Sequence, residues 1–289
     1  MPILTGLHVY PIKSCAGIAL SDVQLCSTGL LYDRSWMVAD AAGAMLTQRT
    51  VARLALIRTA LGEEDLIVTA PGMGELRTPL AAEALSAPET VATHVWSDAL
   101  QTLDTGDACA AWFSTFLGTP ARLLRFDPRV ERLAPVQFRA GPPAPFHFAD
   151  GFPLLVANAA SLADLNERLS HKGAPAIAMD RFRPNLIVSG WDAYEEDYIA
   201  DLTIGTPGGD AGIRLVSPCS RCAVPTIDQR SAQRDPLWPN EPTDTLATYR
   251  RDARVNDAIT FGWNGVVIRG AGARLALGQH IEAEPDFGD

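Results

Sequence analysis

The sequence predicts a mainly β fold with some α, in the α+β class, and three observations lead to it. Short apolar runs broken by Pro, Gly and Asp fill about the first hundred residues. Only two stretches sustain a helical spacing of apolar side chains. Beyond them the chain returns to strand-like runs up to its end.

Leu7-His8-Val9-Tyr10 reads as a strand stopped by Pro11, and Val23-Gln24-Leu25 as one that breaks at Gly29. Trp36-Met37-Val38 turns through Asp40-Ala41-Ala42-Gly43 into Met45-Leu46-Thr47, with Gly43 supplying the positive φ of a hairpin. Ala55-Leu56-Ile57 and Leu66-Ile67-Val68, with Pro71-Gly72 beyond, continue the meander toward a small barrel or sandwich. A helix is predicted from Asp107 to Leu117. Asp107 caps it, Trp112, Phe113, Phe116 and Leu117 share a face, and Gly118 stops it. It is expected to bridge two domains.

Pro135, Gly141-Pro142-Pro143 and Pro145 mark a loop that ends at Asp150-Gly151, ahead of a buried strand at Pro153-Leu154-Leu155-Val156. The second helix takes Ser161 as its cap, places Leu162, Leu165 and Leu169 on an apolar face and ends at Gly173. Its N-terminus is a candidate anion site. Strands follow at Leu186-Ile187-Val188, Leu202-Thr203-Ile204, Ile213-Arg214-Leu215-Val216, Gly265-Val266-Val267-Ile268 and Arg274-Leu275-Ala276-Leu277.

A chain of 289 residues with net charge −10 has room for one large or two moderate domains, and its charge argues against nucleic acid or an anionic membrane as partner. Nothing at Met1-Pro2-Ile3-Leu4 reads as a targeting segment, and no apolar run is long enough to span a bilayer. The five cysteines (Cys15, Cys26, Cys109, Cys219, Cys222) are too scattered for a secreted disulfide framework. A cytoplasmic protein is expected.

Chemistry concentrates at Ser217-Pro218-Cys219-Ser220-Arg221-Cys222, which puts two thiols and a guanidinium at the end of an apolar run. Three readings compete: a redox disulfide, half of a zinc site, and a single thiolate ligand to a soft metal. Zinc needs about four ligands, and His8, His94, His147, His171 and His280 are isolated from one another. A thioredoxin-like pair would open a helix, which Pro225 and the polar stretch after it do not resemble. There is no G-x-S-x-G elbow, and Gly205-x-x-Gly208-Gly209 lacks the lysine of a phosphate loop and reads as a hairpin turn.

Cations gather elsewhere at strand rims. Asp180-Arg181-Phe182-Arg183-Pro184-Asn185 runs into a strand, Lys13-Ser14 follows one, and Asp33-Arg34-Ser35 precedes another. Each could be a local ion pair. Three together in an acidic chain suit a phosphate or an electron-rich heterocycle, which the planar guanidinium grips with paired donors.

The segments Tyr10 to Cys15, Gly29 to Trp36, Ala160 to Asn166, Phe182 to Asn185 and Cys219 to Cys222 resemble the MOSC-domain proteins, and within them the mitochondrial amidoxime-reducing component and its bacterial relatives. The likeness covers nearly the whole chain. It implies a MOSC N-terminal β-barrel-like domain over 1–118 and a MOSC β-barrel with peripheral helices over 119–289. It also implies a molybdenum cofactor: a pterin whose dithiolene binds molybdenum and whose phosphate rests on protein cations. Pyridoxal phosphate is not expected.

By the same resemblance Cys222 is the metal ligand, and Lys13, Ser14, Arg34, Arg183, Asn185, Ser220 and Arg221 surround the cofactor. Ser161 and Arg181 follow from neighbouring motifs. Asp150 would orient metal-bound water or supply a proton. The implied activity is reduction of N-hydroxylated compounds, hydroxylamines or amidoximes, with electrons from a separate ferredoxin-like or cytochrome b5-like protein and its reductase. A carrier or sulfur-transfer protein using a Cys222 persulfide is the alternative.

Two departures accompany the resemblance. Eukaryotic relatives carry a membrane anchor and some bacterial ones a ferredoxin domain, neither of which is expected here. After Cys222, Pro225-Thr226-Ile227-Asp228-Gln229 keeps the family's Thr-x-Asp feature but loses a Pro-x-x-Gly turn.

Overall fold

The computed structural model describes residues 1–138 and 143–286. Strands dominate, joined by the helices Asp107–Leu117 and Ala159–His171 and the single turn Thr243–Leu246. Among the described residues the largest sheet has nine strands. Its order is Ile281–Pro285, Ile199–Ile204, Ala211–Ser220, Ala258–Arg269, Leu154–Asn158, Leu186–Ser189, Ile3–Val9, Ile18–Leu20, with Arg251–Asp252 paired to Ala258–Arg269.

That sheet closes on itself. Ile3 bridges His280, the Leu4 amide donates to Gln279 O at 2.9 Å, and the Ile281 amide donates to Pro2 O at 3.0 Å. Closure removes the free edges an open sheet would expose and encloses one core. Leu4, Leu7, Leu154, Val156, Leu186, Val188, Leu202, Ile204 and Ile213 fill it, each at the buried position of an alternating or fully buried strand. Leu154–Asn158 and Leu186–Ser189 pair in parallel, so a crossover must join them, and Ala159–His171 is its helix.

Before the barrel's main run, Trp36–Asp40, Ala121–Phe126, Asp98–Asp104 and Thr90–Val95 form a four-stranded sheet in that order. Arg58–Leu61, Asp65–Thr69 and Leu76–Pro79 form a three-stranded one. Helix Asp107–Leu117 seals this region, packing Cys109, Trp112, Phe113 and Phe116 against Val38, Leu54, Ile57 and Leu123.

Several local expectations are corrected. Ala55-Leu56 lies in a 3₁₀ turn, Ala52–Leu56, because the short Ala and Leu run has no partner strand. Met45 keeps only an isolated bridge to Ala39. The helix expected to bridge domains packs instead within the first core, and its cap is Gly106, while Asp107 pairs with Arg122 at 3.0 Å. Asn158 caps the second helix by accepting from the Ala160 amide. Thr90–Val95, Asp98–Asp104 and Ala121–Phe126 were not foreseen. Part of the predicted proline-rich loop, Gly141-Pro142, lies outside the described residues.

Among the described residues the division at 118/119, which we propose for the sequence, is crossed by four strand pairings, two of which join Asp98–Asp104 to Ala121–Phe126 and Asp22–Cys26 to Arg274–Ala276. In the other two, Ile3–Val9 pairs with Leu186–Ser189, and Trp36–Asp40 pairs with Ala121–Phe126. The N-terminal strand therefore delivers Tyr10, Lys13 and Ser14 directly to the barrel rim.

Candidate active-site cleft

Pro11 ends the first strand, and the chain turns back through Lys13 and Ser14 while the Arg34 amide donates to Tyr10 O and the Lys13 amide to Trp36 O. The turn needs unusual backbone. Ser14 has φ 66°, Arg34 φ 43° and Arg183 φ 58°. Left-handed backbone at residues bearing a Cβ is costly, and such strain concentrates where surrounding structure requires it for function. Here all three converge on a cleft with an empty volume of about 810 Å³, part of it open to solvent.

Tyr10 is the floor of the cationic part. The Arg34 and Arg183 guanidinium carbons lie 4.4 and 4.3 Å from its ring centroid, a favourable contact with the π face. Burial pushes the Tyr10 hydroxyl up to about 12, against the pull of Arg183 and Arg34, so the ring stays neutral. Arg34 is held by Asp33 at 2.5 Å, Asn185 Oδ1 at 3.0 Å and the Arg183 carbonyl at 3.0 Å. Arg183 donates to Cys15 O at 2.6 Å. Asn185 is spent on the framework: Oδ1 also accepts from the Leu155 amide, and Nδ2 donates to His8 O.

Lys13 is 5% exposed and donates to Phe148 O at 2.7 Å and to Asp150 Oδ1 at 2.5 Å. Burial lowers its pKa, and the Asp150 carboxylate opposes this. Trp96 Nε1 donates to the same carboxylate oxygen at 3.0 Å, and Arg49 lies 4.3 Å from the Trp96 ring centroid. Desolvation pushes the Asp150 carboxyl up. Lys13, by charge and hydrogen bond, then Trp96 and Arg49 outweigh it and hold the group well below the usual carboxylate range.

The thiols enter from Ala211–Ser220. Its pairing with Ala258–Arg269 slips between Leu215 and Ser217 and again between Pro218 and Ser220, irregularities that re-aim the end of a strand. Arg221 donates from Nη1 to Cys219 Sγ at 3.0 Å and from Nη2 to Phe182 O at 2.9 Å. Its Nε is buried without a partner, an orphan donor beside the cleft. Burial raises the Cys219 pKa, and Arg221 pulls it down. Cys219 and Cys222 are both free thiols lining the cleft.

The donor set is one unbonded thiol, five cations (Lys13, Arg34, Arg49, Arg183, Arg221), one exposed carboxylate and the orphan Arg221 Nε. That chemistry suits a group that is anionic at one end and carries a thiophilic metal at the other. Among the described residues no three His, Cys, Asp or Glu side chains cluster as metal ligands, so a four-ligand zinc site is not assembled.

Lys13, Ser14, Arg34, Asp150, Arg183, Asn185, Arg221 and Cys222 thus share one cleft. Three expected residues lie elsewhere. Ser161 is fully buried inside its helix and donates to the Glu196 carboxylate at 2.8 Å. Asn158 donates to that carboxylate too, so the expected anion site at this helix N-terminus is filled by the chain itself. Arg181 points to Asp228 at 3.1 Å and Pro225 O at 3.2 Å, beside a second cavity. Ser220 is exposed, paired with Thr260 just past the slip after Pro218, and does not line the cleft. Arg49, Trp96, Thr47 and Asn264 also line the cleft and were missed. They are lone residues in turns and strands, with no motif around them to mark them in the sequence.

Family models for the MOSC N-terminal beta barrel domain and the MOSC domain match residues 1–120 and 143–282. Mitochondrial amidoxime-reducing component 1 of Homo sapiens is 34% identical over 254 residues, covering 85% of this chain and 71% of that protein. Molybdenum cofactor sulfurase of Danio rerio is 30% identical over 298 residues, 96% of this chain but 34% of that protein. Among solved structures, the YUAD protein from Bacillus subtilis aligns over 100% of this chain and 98% of its own at 13% identity with a TM-score of 0.42, too loose a likeness to argue from.

Proposed function

The chain belongs to the MOSC family, a MOSC N-terminal beta barrel followed by a MOSC domain, and from that premise we propose a molybdenum cofactor-dependent oxidoreductase that reduces N-hydroxylated compounds. One observation carries the reading most: Lys13, Arg34, Arg183, Arg221 and Cys222, far apart in sequence, line a single cleft in a chain of net charge −10. An acidic protein that concentrates buried and half-buried cations beside two free thiols has a local anion to hold.

In this proposal the Cys222 thiolate is the protein ligand to molybdenum. Lys13, Ser14, Arg34 and Arg183 hold the pterin phosphate, with Arg34 and Arg183 kept in place by Tyr10. The Arg221 Nε supplies a further donor to the pterin. When bound, the cofactor supplies the two-electron cleavage of the N–O bond. The overall change consumes two electrons and two protons and releases the amine or amidine and water. Asp150 stays ionised beside Lys13, so the proton of this pair is held at Lys13 Nζ and the carboxylate serves as an acceptor. Electrons arrive from a separate ferredoxin-like or cytochrome b5-like protein and its reductase. A cytoplasmic setting is part of the proposal.

The likeness to molybdenum cofactor sulfurase over 96% of the chain favours one second reading, a carrier or sulfur-transfer role with a persulfide on Cys222. Both readings are tested by producing the protein in a host that makes molybdopterin and assaying hydroxylamine and amidoxime reduction with a chemical electron donor. The oxidoreductase reading expects activity that Cys222→Ser abolishes and Cys219→Ser only weakens. Stoichiometric pterin with no reduction of any N-hydroxy compound would favour the carrier, and full activity in Cys222→Ser would remove the ligand assignment.

A further inference from the structure

The hairpin of Thr90–Val95 and Asp98–Asp104 turns on Trp96 and Ser97, with Val95 paired to Asp98. Trp96 has φ 55°. A two-residue hairpin normally gives a positive-φ position to Gly, Asn or Asp, because a large side chain there is strained. This turn carries a tryptophan, 42% exposed. Backbone strain at a bulky residue persists where its surroundings over-determine it, and the surroundings here are the mouth of the cleft.

The indole is fixed on two sides. Arg49 covers its ring at 4.3 Å, and Nε1 donates to Asp150 Oδ1 at 3.0 Å. Lys13 donates to that same oxygen at 2.5 Å. Asp150 Oδ1 therefore takes two donors, Lys13 Nζ and Trp96 Nε1, and both come from the N-terminal side of the proposed 118/119 division. Asp150 Oδ2 has no partner among the described residues, and the Asp150 side chain is 67% exposed. The charged and titratable groups that face Asp150 are Lys13, Arg49, Arg132 and Cys219, and none of them bonds Oδ2.

We propose that Trp96 is a positioning residue of the cleft: its indole N–H, together with Lys13, locks Asp150 through Oδ1 so that Oδ2 is presented as the acceptor for the O–H or N–H of an N-hydroxylated substrate. Arg49, stacked on the indole, keeps it in place and completes the outer wall. The pinning of Asp150 stands independently of the proposed activity; the assignment of the acceptor to a substrate rests on it.

Two measurements separate these parts. In the ¹⁵N-labelled full chain without cofactor, the Trp96 indole N–H resonance is expected to move upfield on Asp150→Asn, since a carboxylate acceptor is exchanged for a weaker amide. An unmoved resonance overturns the proposal whatever the enzyme does. In the cofactor-loaded protein, Trp96→Phe keeps a ring for Arg49 but deletes the donor, and should lower kcat about tenfold with KM within about twofold. The double variant Trp96→Phe/Asp150→Asn should be no slower than Asp150→Asn alone, because Trp96 acts through Asp150. Losses that simply multiply would mean a structural role and overturn the proposal. A shifted resonance in a protein inactive toward every N-hydroxy compound would refute the reductase reading and its substrate assignment while leaving the pinning intact.

Discussion

At the scale of single residues, the proposed cofactor site rests on arginines that lysine cannot replace. Arg34 reaches Asp33, Asn185 and the Arg183 carbonyl at once while its plane lies over Tyr10. A lysine keeps the charge but loses the fork and the stacking. Arg34→Lys should therefore lower the pterin retained per chain several-fold, measured as fluorescent oxidised pterin, with the far-UV spectrum unchanged. Undiminished pterin would show that Arg34 serves only the fold. These residues were legible because a cation at a strand end recurs at Lys13, Arg34 and Arg183, with a small hydroxyl beside the first two, Ser14 and Ser35. Ser161, Arg181 and Ser220 were misplaced because membership of a motif does not give direction. Ser220 sits between Cys219 and Arg221 but faces solvent, and Ser161 binds Glu196. Arg49 and Trp96 were illegible because their meeting depends on two turns and Asp150 approaching in space.

At the scale of elements, the barrel strands were readable from apolar alternation, whereas the features that aim them were not. Gly262, with φ 73°, is one such feature: a Cβ there would stand 2.7 Å from Val156 O in the neighbouring strand. Both the backbone and the space exclude a side chain, so Gly262→Ala should destabilise the protein by about 2–4 kcal/mol. Gly74→Ala, where nothing lies within 4 Å and φ is not positive, should stay within about 0.5 kcal/mol. Urea unfolding of the two variants checks the contrast, and equal stabilities would contradict the packing described. The Thr90–Val95 strand escaped notice because a threonine, Thr93, stands between Val91 and Val95 on its inward face and Ala92 on its outward one, which blurs the apolar alternation.

At the scale of the whole molecule, the two parts of the chain are interleaved. A fragment ending at residue 118 would lack Ala121–Phe126, the partner of Trp36–Asp40, and one starting at 119 would lack Ile3–Val9. Neither fragment is expected to unfold cooperatively alone, as calorimetry would show. Stability should also depend on pH through His147. Burial, with help from Arg125, lowers its pKa from 6.5 to about 4, while the Ser35 hydroxyl lies 3.1 Å from Nδ1. Between those values the unfolded chain binds a proton that the folded chain refuses. The stabilisation is thus complete above about pH 6.5 and is lost as the pH falls toward about 4, by on the order of 2–3 kcal/mol. In His147→Gln that part of the acid limb should flatten; an unchanged limb would place the acid sensitivity elsewhere.

The convergence of distant cationic rims on Cys222 is tested most directly by counting what the cleft holds. The chain, purified from a host that makes molybdopterin, should carry about one pterin and one molybdenum per molecule, and Cys222→Ser should lose molybdenum more than pterin, because thiolate and phosphate sites are held by different residues. A wild-type chain that emerges from such a host with neither would contradict the assignment of the cleft.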